Sequence, residues 1–441
     1  MKPKYFAPRG TIDILPDESE IWQKVKEIAI DVSKKFGFYE IVLPTFENKE
    51  LFIHSAGDTS DVVTKEMFIF KDRGGRELAL RPEGTAPVVR SILENGLLQN
   101  PLPLKLFYII NCFRNERPQA GRYKEFYQFG VEVFGPSSPL AEFEVISLAI
   151  DFFEKLKIEN LTLEINSIGC LKCRDEFKKS LIEHFSSKKE ELCEDCKNRL
   201  IKNPLRLLDC KNENCIKLSE NAPKILDFLC EECENHFEMV KELLYKNDIK
   251  FVVNPKIVRG LDYYTKTVFE FKTKDLGSQS TVCGGGRYDD LIENFSGEKI
   301  PALGFGIGLN RLILLIKKQN ITPKIDRKCD LYIGNVTNKE ILTVSKIAKK
   351  LRELNLVVCT NLLEKTVKAQ MKYANKINSS FSCILGEKEI QSNMVNVKNM
   401  STGDVFKVFV DNFENEFIKT FKQNKITKIN RKCDLYYPQH N

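Results

Sequence analysis

The sequence predicts an α+β protein in which an antiparallel sheet is interrupted by a helical, cysteine-rich segment and followed by a separate α/β domain. Two long segments rich in aromatic and branched residues, 105–114 and 125–134, indicate neighbouring strands joined by a charged loop. Between about 170 and 245, cysteine and charge increase and apolar residues recur at helical spacing. From residue 329 onward, strands alternate with helices, which is typical of a small α/β domain.

The composition is that of an ordinary soluble globular protein. The 441 residues suffice for two or three domains of about 150 residues, and 42% of them are hydrophobic and 29% charged. With 23 glycines and 17 prolines, collagen-like and low-complexity sequences are excluded. The net charge of +7 permits an anionic partner such as nucleic acid without requiring one.

The first ten residues contain no apolar segment of the kind found in secretory signals. No apolar run approaches the roughly 18 residues that a membrane span requires. We therefore expect a cytoplasmic protein. In a reducing compartment the fourteen cysteines are expected not to form lasting disulfides.

The chain is expected to begin with an amphipathic helix. Asp17 and Glu20 have capping-box spacing, apolar residues recur at helical spacing after them, and Gly37 ends the pattern. A strand is predicted over 39–43, ending at Pro44.

A hairpin with strands at 67–70 and 77–80 follows. The loop 115–124, between the two long strands, is basic and is predicted to be flexible, so it suits an anionic ligand; the alternative is an exposed hairpin tip. Further along, the predicted strands are at 251, 268–271, 329–333, 356–359 and 381–385, and the predicted helices at 306–318, 338–354 and 364–378.

One face of the second long strand is predicted to bind a ligand. Gln128, Gly130 and Glu132 share that face because side chains alternate along a strand. The glycine leaves room between the two polar side chains, and Arg114, at the end of the preceding strand, can reach the same area. Such a set suits a zwitterion, with a cation for its carboxylate and a carboxylate for its ammonium or imidazole group. The alternative is a solvated face with cross-strand pairs.

Several glycine-containing motifs add candidate ligand contacts. Glu83 lies in a Pro/Gly turn before a helix, and Arg259 precedes a pair of tyrosines. The segment 283–290 is predicted to be a turn whose backbone can approach a ligand closely. The glycines of 304–308 precede a helix that carries Arg311. Neither the dinucleotide-binding fingerprint nor a P-loop is present, so arginines and a bound metal would have to hold any ATP phosphates.

These motifs resemble those of the histidyl-tRNA synthetase family, a class II aminoacyl-tRNA synthetase family, over roughly residues 3 to 425. The segments that resemble its motifs are Pro44 (motif 1), 113–116 with Arg122 (motif 2), 304–311 (motif 3), and the two histidine signatures at 259–264 and 283–288. The last two signatures are highly specific to the family.

The resemblance implies a six-stranded antiparallel catalytic sheet, a helical cysteine-rich insertion, a C-terminal α/β anticodon-binding domain and a homodimer formed through motif 1. The expected domains are the first part of the catalytic core at 1–169, the insertion at 170–245, the second part of the core at 246–325 and the anticodon-binding domain at 326–425. The remaining residues, 426–441, lie beyond the resemblance and are expected to be a disordered tail.

The resemblance also implies an activity and its residues. L-histidine would react with ATP, with Mg²⁺ present, to give histidyl-adenylate and pyrophosphate, and histidine would then pass to the 3′ end of tRNA(His). The implied catalytic residues are Arg259 and Arg114. The implied histidine-binding residues are Glu83, Gly84, Thr85, Arg114, Gln128, Glu132, Arg259, Tyr263 and Tyr264. The implied ATP-binding residues are Arg114, Glu116, Arg122, Arg259 and Arg311. The implied contacts to the tRNA acceptor end are Arg117 and Gln119.

This chemistry needs no general base, because the attacking carboxylate, with a pKa of about 3.5, is already ionised. A pocket that bonds the imidazole through Glu132 and Tyr264 can reject analogues by roughly 10⁴-fold, so the insertion is not interpreted as an editing domain. Position 310 is a departure from the pattern: Asn310 stands where family members more often carry an acidic residue.

Eight of the fourteen cysteines lie in the insertion, in three Cys-x-x-Cys pairs and one looser pair. They are Cys170, Cys173, Cys193, Cys196, Cys210, Cys215, Cys230 and Cys233. They are enough for two structural Zn²⁺ sites of four thiolates each. An iron–sulfur cluster and eight unliganded buried thiols are the alternatives.

Two other functions are compatible with parts of the sequence. One is the catalytically silent, synthetase-like regulatory subunit of histidine biosynthesis; the other is a zinc-dependent nucleic-acid-binding protein without activity. The segment 428–436 repeats 324–332 at eight of nine positions and is predicted to be a duplicated tail with no functional role.

Overall fold

The computed structural model describes residues 4–57, 60, 62–210, 212–257, 261–277, 280–321 and 329–421. They belong to two compact units that divide between residues 323 and 324. Arg259 and the duplicated segment 428–436 lie outside the described residues. Among the described helices, none combines the length and the apolar character needed to cross a membrane.

The first unit contains a large mixed sheet and a small second sheet. Its strands are β1 (Tyr39–Glu40), β2 (Phe46–Asn48), β3 (Ile69–Lys71), β4 (Glu77–Leu80), β5 (Leu104–Phe113), β6 (Glu125–Phe134), β7 (Thr162–Ser167), β8 (Phe251–Val253), β9 (Thr265–Lys272), β10 (Thr281–Arg287) and β11 (Ala302–Gly308). Eight of them form one sheet in the order β1-β5-β6-β11-β10-β9-β7-β8, and β2-β4-β3 form a small second sheet.

The six central strands of the large sheet are antiparallel, and the short edge strands β1 and β8 run parallel to β5 and β7. The predicted antiparallel catalytic sheet is therefore confirmed, as are the long β5–β6 pair and the β3–β4 hairpin.

Helices cover the sheet and build the insertion. They are α1 (Pro16–Lys35), α2 (Lys49–Ala56), α3 (Thr85–Glu94), α4 (Leu140–Lys155), α5 (Leu171–Ser186), α6 (Glu194–Lys202), α7 (Glu213–Leu218), α8 (Glu231–Lys246), α9 (Leu291–Ser296) and α10 (Leu309–Lys318). Val25 of α1, Phe152 of α4 and Leu312 of α10 are fully buried against β6, where Phe129 contacts Phe152. The helices on this face thus bury the side of the sheet that faces away from the cavity described below.

Three local predictions were wrong. Helix α1 begins at Pro16 without a side-chain cap, because proline fixes a helical φ at the first position. The strand predicted over 39–43 ends at Glu40, since the carbonyls of Leu43 and Pro44 accept bonds from the buried Arg81 guanidinium (2.7 and 2.6 Å). The apolar helix expected from residue 306 begins at Leu309.

The glycine segments form strands instead of turns. The predicted turn at 283–290 is mostly β10, and 304–308 lie in β11. Glycines let these two strands approach each other closely: a Cβ on Gly285 would collide with the carbonyl oxygen of Gly304. On the face that carries Gly284, Gly304 and Gly306, these two adjacent central strands leave an open strip on the sheet.

Between β7 and β8 the described chain is helical, as predicted. In addition to α5–α8 it contains short 3₁₀ turns at Lys189–Glu191, Pro204–Leu207 and Ile225–Phe228. Phe177, Leu181 and Phe185 of α5 form a separate core with Leu200 and Leu207.

The second unit is a small α/β structure, which confirms the predicted alternation of strands and helices. Its strands are β12 (Leu331–Asn335), β13 (Val358–Thr360), β14 (Phe381–Leu385), β15 (Met394–Asn399) and β16 (Val405–Phe409), and its helices are α11 (Ile341–Glu353), α12 (Val367–Lys376), α13 (Glu387–Gln391) and a last helix at 413–421. The sheet order is β13-β12-β14-β15-β16, parallel through β14 and antiparallel after it. Strands β15 and β16 were not predicted.

A buried ion pair joins α4 to β10. The guanidinium of Arg287 donates to both carboxylate oxygens of Glu142 at 2.8 and 2.6 Å, and neither side chain is exposed. His236 of α8 contacts the same carboxylate at 2.6 Å. Burial alone would raise the pKa of Glu142, but the hydrogen bonds from Arg287 and His236 lower it to about 2.

We expect Glu142→Gln to lower the free energy of unfolding by about 3–5 kcal/mol, because it leaves Arg287 buried without its countercharge. The lowered pKa also predicts that the wild type loses stability as pH falls from about 4.5 to about 2, since the unfolded carboxylate takes up a proton first. Denaturant unfolding at several pH values measures both. Glu144→Gln, on the same helix in a partly exposed pair with Lys105, is the control; equal effects of the two variants would contradict the prediction.

Candidate active site

A cavity of about 260 Å³ lies over the open strip of the large sheet and contains most of the predicted site residues. The predicted residues that line it are Glu83, Thr85, Arg114, Glu116, Arg122, Gln128, Glu132, Tyr263, Tyr264 and Arg311. Gly84 is not among the lining residues, and Arg117 and Gln119 are exposed outside the cavity. Arg259, predicted as catalytic, lies outside the described residues.

One end of the cavity is organised around Glu132, which is 1% exposed. Its Oε1 accepts hydrogen bonds from Thr85 Oγ1 at 2.8 Å and from the Tyr108 hydroxyl at 3.1 Å, and its Oε2 accepts one from the Tyr288 hydroxyl. We call these residues, together with Glu83, the carboxylate end. Three hydroxyl donors on one buried carboxylate fix its position for a ligand that carries N–H groups.

Glu83 is held by the helix that follows it. Its two oxygens accept the backbone N–H groups of Thr85 and Ala86, at 2.6 and 2.8 Å, at the start of α3. Burial raises the pKa of Glu83. The N-terminus of α3 thus places a second acidic group beside Glu132.

Tyrosines form the wall beside the carboxylate end. The rings of Tyr263 and Tyr264 are 4.8 Å apart, and Tyr263 also contacts Tyr288 at 5.6 Å. Burial raises the pKa of Tyr263 well above its usual value, so its hydroxyl stays protonated. A flat aromatic wall next to acidic groups suits a planar ligand with N–H donors.

The structure revises the predicted role of Gly130. The space above this glycine is occupied by the ring of Tyr108, its cross-strand partner on β5, and not by ligand space. Gly84 faces the same ring. Sequence reasoning missed Tyr108 and Tyr288; an aromatic residue in register with a glycine was the available signal for Tyr108.

We expect Gly130→Ala to disrupt the carboxylate end, because the new Cβ would collide with the Tyr108 ring, which is fully buried and cannot move away. Overpacking of this kind costs about 1–3 kcal/mol of stability. Denaturant unfolding measures the loss. Gly308→Ala, on the neighbouring strand with no atom within 4 Å of the added Cβ, serves as the control; comparable losses in both variants would show that the Tyr108 contact is not the cause.

The carboxylate end also predicts a pH dependence. Burial raises the pKa of Glu132 to about 8, although bonds from Tyr288 and Thr85 favour the carboxylate. Since the folded state keeps a proton that the unfolded chain loses, the free energy of unfolding should fall as pH rises from about 4.5 to about 8, by up to about 1.4 kcal/mol per unit. In Glu132→Gln, whose amide does not titrate, the free energy of unfolding should lack this fall with rising pH. If the free energies of unfolding of variant and wild type changed with pH in parallel, the prediction would be refuted.

The other end of the cavity contains an arginine cluster, which we define as Arg114, Arg122 and Arg311. Arg114 is fixed by a bond to the Pro82 carbonyl at 3.0 Å, and Arg122 pairs with Glu116 at 2.7 Å. Burial lowers the pKa of Arg311, and the positive charges of Arg122 and Arg114 lower it further. Three guanidinium groups close enough to repel each other form a site for a multiply charged anion.

The loop predicted to be flexible contains a hydrogen-bonded turn. Gln119 and Arg122 exchange two backbone hydrogen bonds at 3.0 and 2.9 Å, and Gly121 between them has a φ of +75° that favours glycine. Gly121 lies against the first turn of α10, near Arg311. The turn therefore helps to bring Arg122 to the arginine cluster.

Asn310 has a structural contact that explains its position. Its Oδ1 accepts the backbone N–H of Tyr127 at 2.8 Å, which fastens the start of α10 to β6. The adjacent Arg311 donates to the Thr281 carbonyl at 2.6 Å on β10. An amide at position 310 is thus compatible with an anchored Arg311.

The eight cysteines of the insertion gather into two groups of four. One group contains Cys170, Cys173, Cys230 and Cys233, and the other contains Cys193, Cys196, Cys210 and Cys215. We call them the first and the second cysteine site. Both lie away from the residues that line the cavity.

The antiparallel sheet and its cavity are those of class II aminoacyl-tRNA synthetases. A family model described as "Histidyl-tRNA synthetase" matches residues 10–312, and one described as "Anticodon binding domain" matches residues 330–420. The chain therefore belongs to the histidyl-tRNA synthetase family.

Individual relatives agree with this assignment. The histidine–tRNA ligase of Caldanaerobacter subterraneus subsp. tengcongensis is 47% identical over 92% of this chain and 98% of its own length. The apo histidyl-tRNA synthetase structure from S. aureus has a TM-score of 0.81 and 33% identity, covering 94% of this chain and 99% of that one. A Bacillus halodurans structure described as an ATP phosphoribosyltransferase regulatory subunit/histidyl-tRNA synthetase has a TM-score of 0.63 at 22% identity, covering 88% of this chain and 99% of that one, which reflects a shared fold.

Proposed function

We propose that this protein is a histidine–tRNA ligase. It activates L-histidine with ATP to histidyl-adenylate and pyrophosphate, and then transfers histidine to the 3′ end of tRNA(His). The observation that supports this function best is the pairing, in one cavity, of a carboxylate end with an arginine cluster. One end suits the N–H groups of histidine and the other suits the phosphates of ATP.

The residue roles follow from these two ends. Glu83, Thr85 and Gln128 would bind the amino group of histidine, while Glu132, Tyr263 and Tyr264 would line the imidazole pocket. Arg122 and Arg311 would hold the terminal phosphates, and Glu116 would contact the adenine. Arg114 would hold both the histidine carboxylate and the α-phosphate, and we assign Arg259 to the α-phosphate from family resemblance alone.

In the first step the histidine carboxylate attacks the α-phosphorus, a P–O bond forms, and pyrophosphate leaves with the electron pair of the broken P–O bond. The attacking group is already ionised, so the side chains need to align it and to stabilise developing negative charge. In the second step the terminal ribose hydroxyl of tRNA attacks the adenylate carbonyl and AMP leaves.

Mg²⁺ is general to class II synthetases and would neutralise phosphate charge. It would be held mainly by the phosphates of ATP, because Mg²⁺ keeps several waters and uses only one or two protein carboxylates. Glu270, which acts electrostatically on Arg311, is a carboxylate that could face it.

Histidine-dependent ATP–pyrophosphate exchange, with and without tRNA, tests the proposal. Exchange that requires histidine supports the ligase. Its absence from folded protein would favour the regulatory-subunit alternative, and Asn310→Glu would then be the first variant to examine. The match to the Bacillus halodurans structure supports that alternative only through the fold.

We further propose a homodimer formed through motif 1, located in the cytoplasm. Tyr39 and Val42 are 75% and 83% exposed, and Phe46, Ile69 and Phe70 nearby are also exposed, which is an apolar surface that a second copy could cover. Light scattering of wild type and Val42→Asp tests this; a wild-type monomer would refute it.

The free thiols of the described cysteines agree with a reducing compartment.

We also propose that the catalytic core comprises residues 1–169 and 246–325, the insertion 170–245, the anticodon-binding domain 326–425 and the tail 426–441. The helical content between β7 and β8 and the division near residue 323 support them. In this scheme Arg117 and Gln119, exposed in the motif 2 loop, face the tRNA acceptor end.

A further inference from the structure

We propose that the insertion binds two structural Zn²⁺ ions, one at the first cysteine site and one at the second. In each site the four Sγ atoms lie within 4.8 Å of one another. Thiolates held tetrahedrally by Zn²⁺ at about 2.3 Å are about 3.8 Å apart. The Sγ–Sγ distances are 3.6 Å for Cys170–Cys173, 4.0 Å for Cys170–Cys230 and 3.8 Å for Cys193–Cys210. The donor atoms are therefore already spaced for one metal ion in each site.

The grouping of the cysteines is nested. Four pairs can be combined two by two in three ways, and the fold joins the two outer pairs to each other and the two inner pairs to each other. Cys170 and Cys230 each immediately precede a helix, α5 and α8, and stand at the two ends of the insertion. The first site thus closes the base of the insertion, and the second lies inside it.

Backbone groups are directed at the sulfur atoms. The N–H of Cys230 donates to Cys173 Sγ at 3.1 Å, the N–H of Cys193 donates to Cys215 Sγ at 3.3 Å, and the N–H of Asn212 donates to Cys210 Sγ at 3.5 Å. Such donors stabilise the negative charge that a metal-bound thiolate carries. They are present in both sites.

The geometry disfavours the alternatives. A disulfide has a sulfur–sulfur distance of about 2.05 Å, much shorter than any of these pairs. An iron–sulfur cluster distributes its four thiolates over two or four irons and would spread the sulfurs further than one ion does. Unliganded thiols would leave the second site to apolar packing alone, since α6, the turn Pro204–Leu207 and α7 are 9, 4 and 6 residues long and too short to be stable by themselves.

The first site also connects to the cavity, an inference that rests on the proposed function. Arg174 follows Cys173 in α5 and donates to the Tyr264 carbonyl at 3.1 Å. Metal at the first site would therefore fix α5, and through Arg174 the backbone of a tyrosine in the proposed imidazole pocket. The second site reaches the same loop less directly: Asn203, which follows α6, donates to Asp262 Oδ1 at 3.1 Å, two residues before Tyr264.

Elemental analysis of the full chain, purified without chelator, tests the metal sites. We expect two zinc ions per chain in the wild type. Each of the double variants Cys193→Ser/Cys196→Ser and Cys170→Ser/Cys173→Ser should contain one. The control variant Cys359→Ser, which changes a cysteine of the second unit, should contain two. Less than about 0.5 zinc per chain, or stoichiometric iron, would overturn the proposal. Because the variants can fail to fold, Co²⁺ added to chelator-treated wild type gives a second readout: absorption of tetrahedral thiolate-bound Co²⁺ supports the sites and its absence refutes them.

Histidine KM in the exchange reaction tests the connection to Tyr264. The first-site variant is expected to raise KM by about tenfold, and the second-site variant to raise it clearly less, because its link through Asn203 is to Asp262. Equal KM values in both variants would refute the connection. Failure of the ligase proposal would appear differently, as no exchange by wild-type protein that contains two zinc ions.

Discussion

Glu132→Gln is expected to lower kcat/KM for histidine by about 10³-fold in ATP–pyrophosphate exchange. The two oxygens of the buried carboxylate accept hydrogen bonds from the hydroxyl groups of Thr85, Tyr108 and Tyr288. An amide has only one oxygen that can accept such hydrogen bonds. The variant would behave as a permanently uncharged carboxyl group, whereas Glu132 can ionise when a cationic or N–H-rich ligand enters. Loss of one partner of a buried charged contact typically costs 2–5 kcal/mol, and about 4 kcal/mol corresponds to 10³-fold.

Glu125→Gln is the matched control, because it is the same change at the other end of β6. Glu125 accepts a bond from Asn111 at 3.0 Å and does not line the cavity. Its exchange rate should stay within about twofold of the wild type. If Glu132→Gln retained wild-type exchange while remaining folded, the assignment of Glu132 to the imidazole pocket would be wrong.

Arg114→Ala is expected to lower kcat of the exchange reaction by about 10³-fold, with smaller changes in KM. Arg114 belongs to the arginine cluster, and its positive charge also acts on Glu83 of the carboxylate end; it donates to the Pro82 carbonyl and packs on the Phe126 ring. In that position it can bind the attacking carboxylate and the α-phosphate together as charge develops. Removing such an interaction from the transition state lowers kcat by about 10²–10³-fold or more.

Two further variants test the specificity of this effect. Arg114→Lys should recover only part of the rate, because an ammonium group cannot reproduce the planar, bidentate contact of a guanidinium. Arg117→Ala removes the same charge from an exposed position three residues away and should leave exchange unchanged while slowing transfer to tRNA. Equal loss of exchange in Arg117→Ala and Arg114→Ala would indicate a general electrostatic effect instead of the proposed contact.

The cysteine sites illustrate what sequence spacing can establish. Three Cys-x-x-Cys pairs and a looser pair were sufficient to predict two four-thiolate sites, because the spacing of a pair is a local property of the chain. The partners of each pair were not predictable. They depend on how α5 and α8 leave and rejoin the parallel strands β7 and β8, which pair with each other across the whole insertion.

The glycine motifs illustrate the opposite case. The sequence identifies their residues, but it predicts a turn at 283–290 and space for a ligand at Gly130. In the fold, Gly304 and Gly306 leave room for the side chains of Glu132 and Gln128, and Gly130 leaves room for Tyr108. Arg287 of the same signature is a buried partner of Glu142 and not a cavity residue.

The sequence by itself determined the long β5–β6 pair, the helical insertion, the alternation of strands and helices in the second unit as far as β14, the polar face of β6, the family, and most of the residues that line the cavity. These properties follow from local periodicity and from motifs that are contiguous in the chain. Only the tertiary structure decided that Tyr108 and Tyr288 hold Glu132 and which four cysteines share a site. Such contacts depend on the register between strands far apart in sequence, such as Gln128 opposite Gly308, which packing of the whole sheet sets and no local pattern encodes.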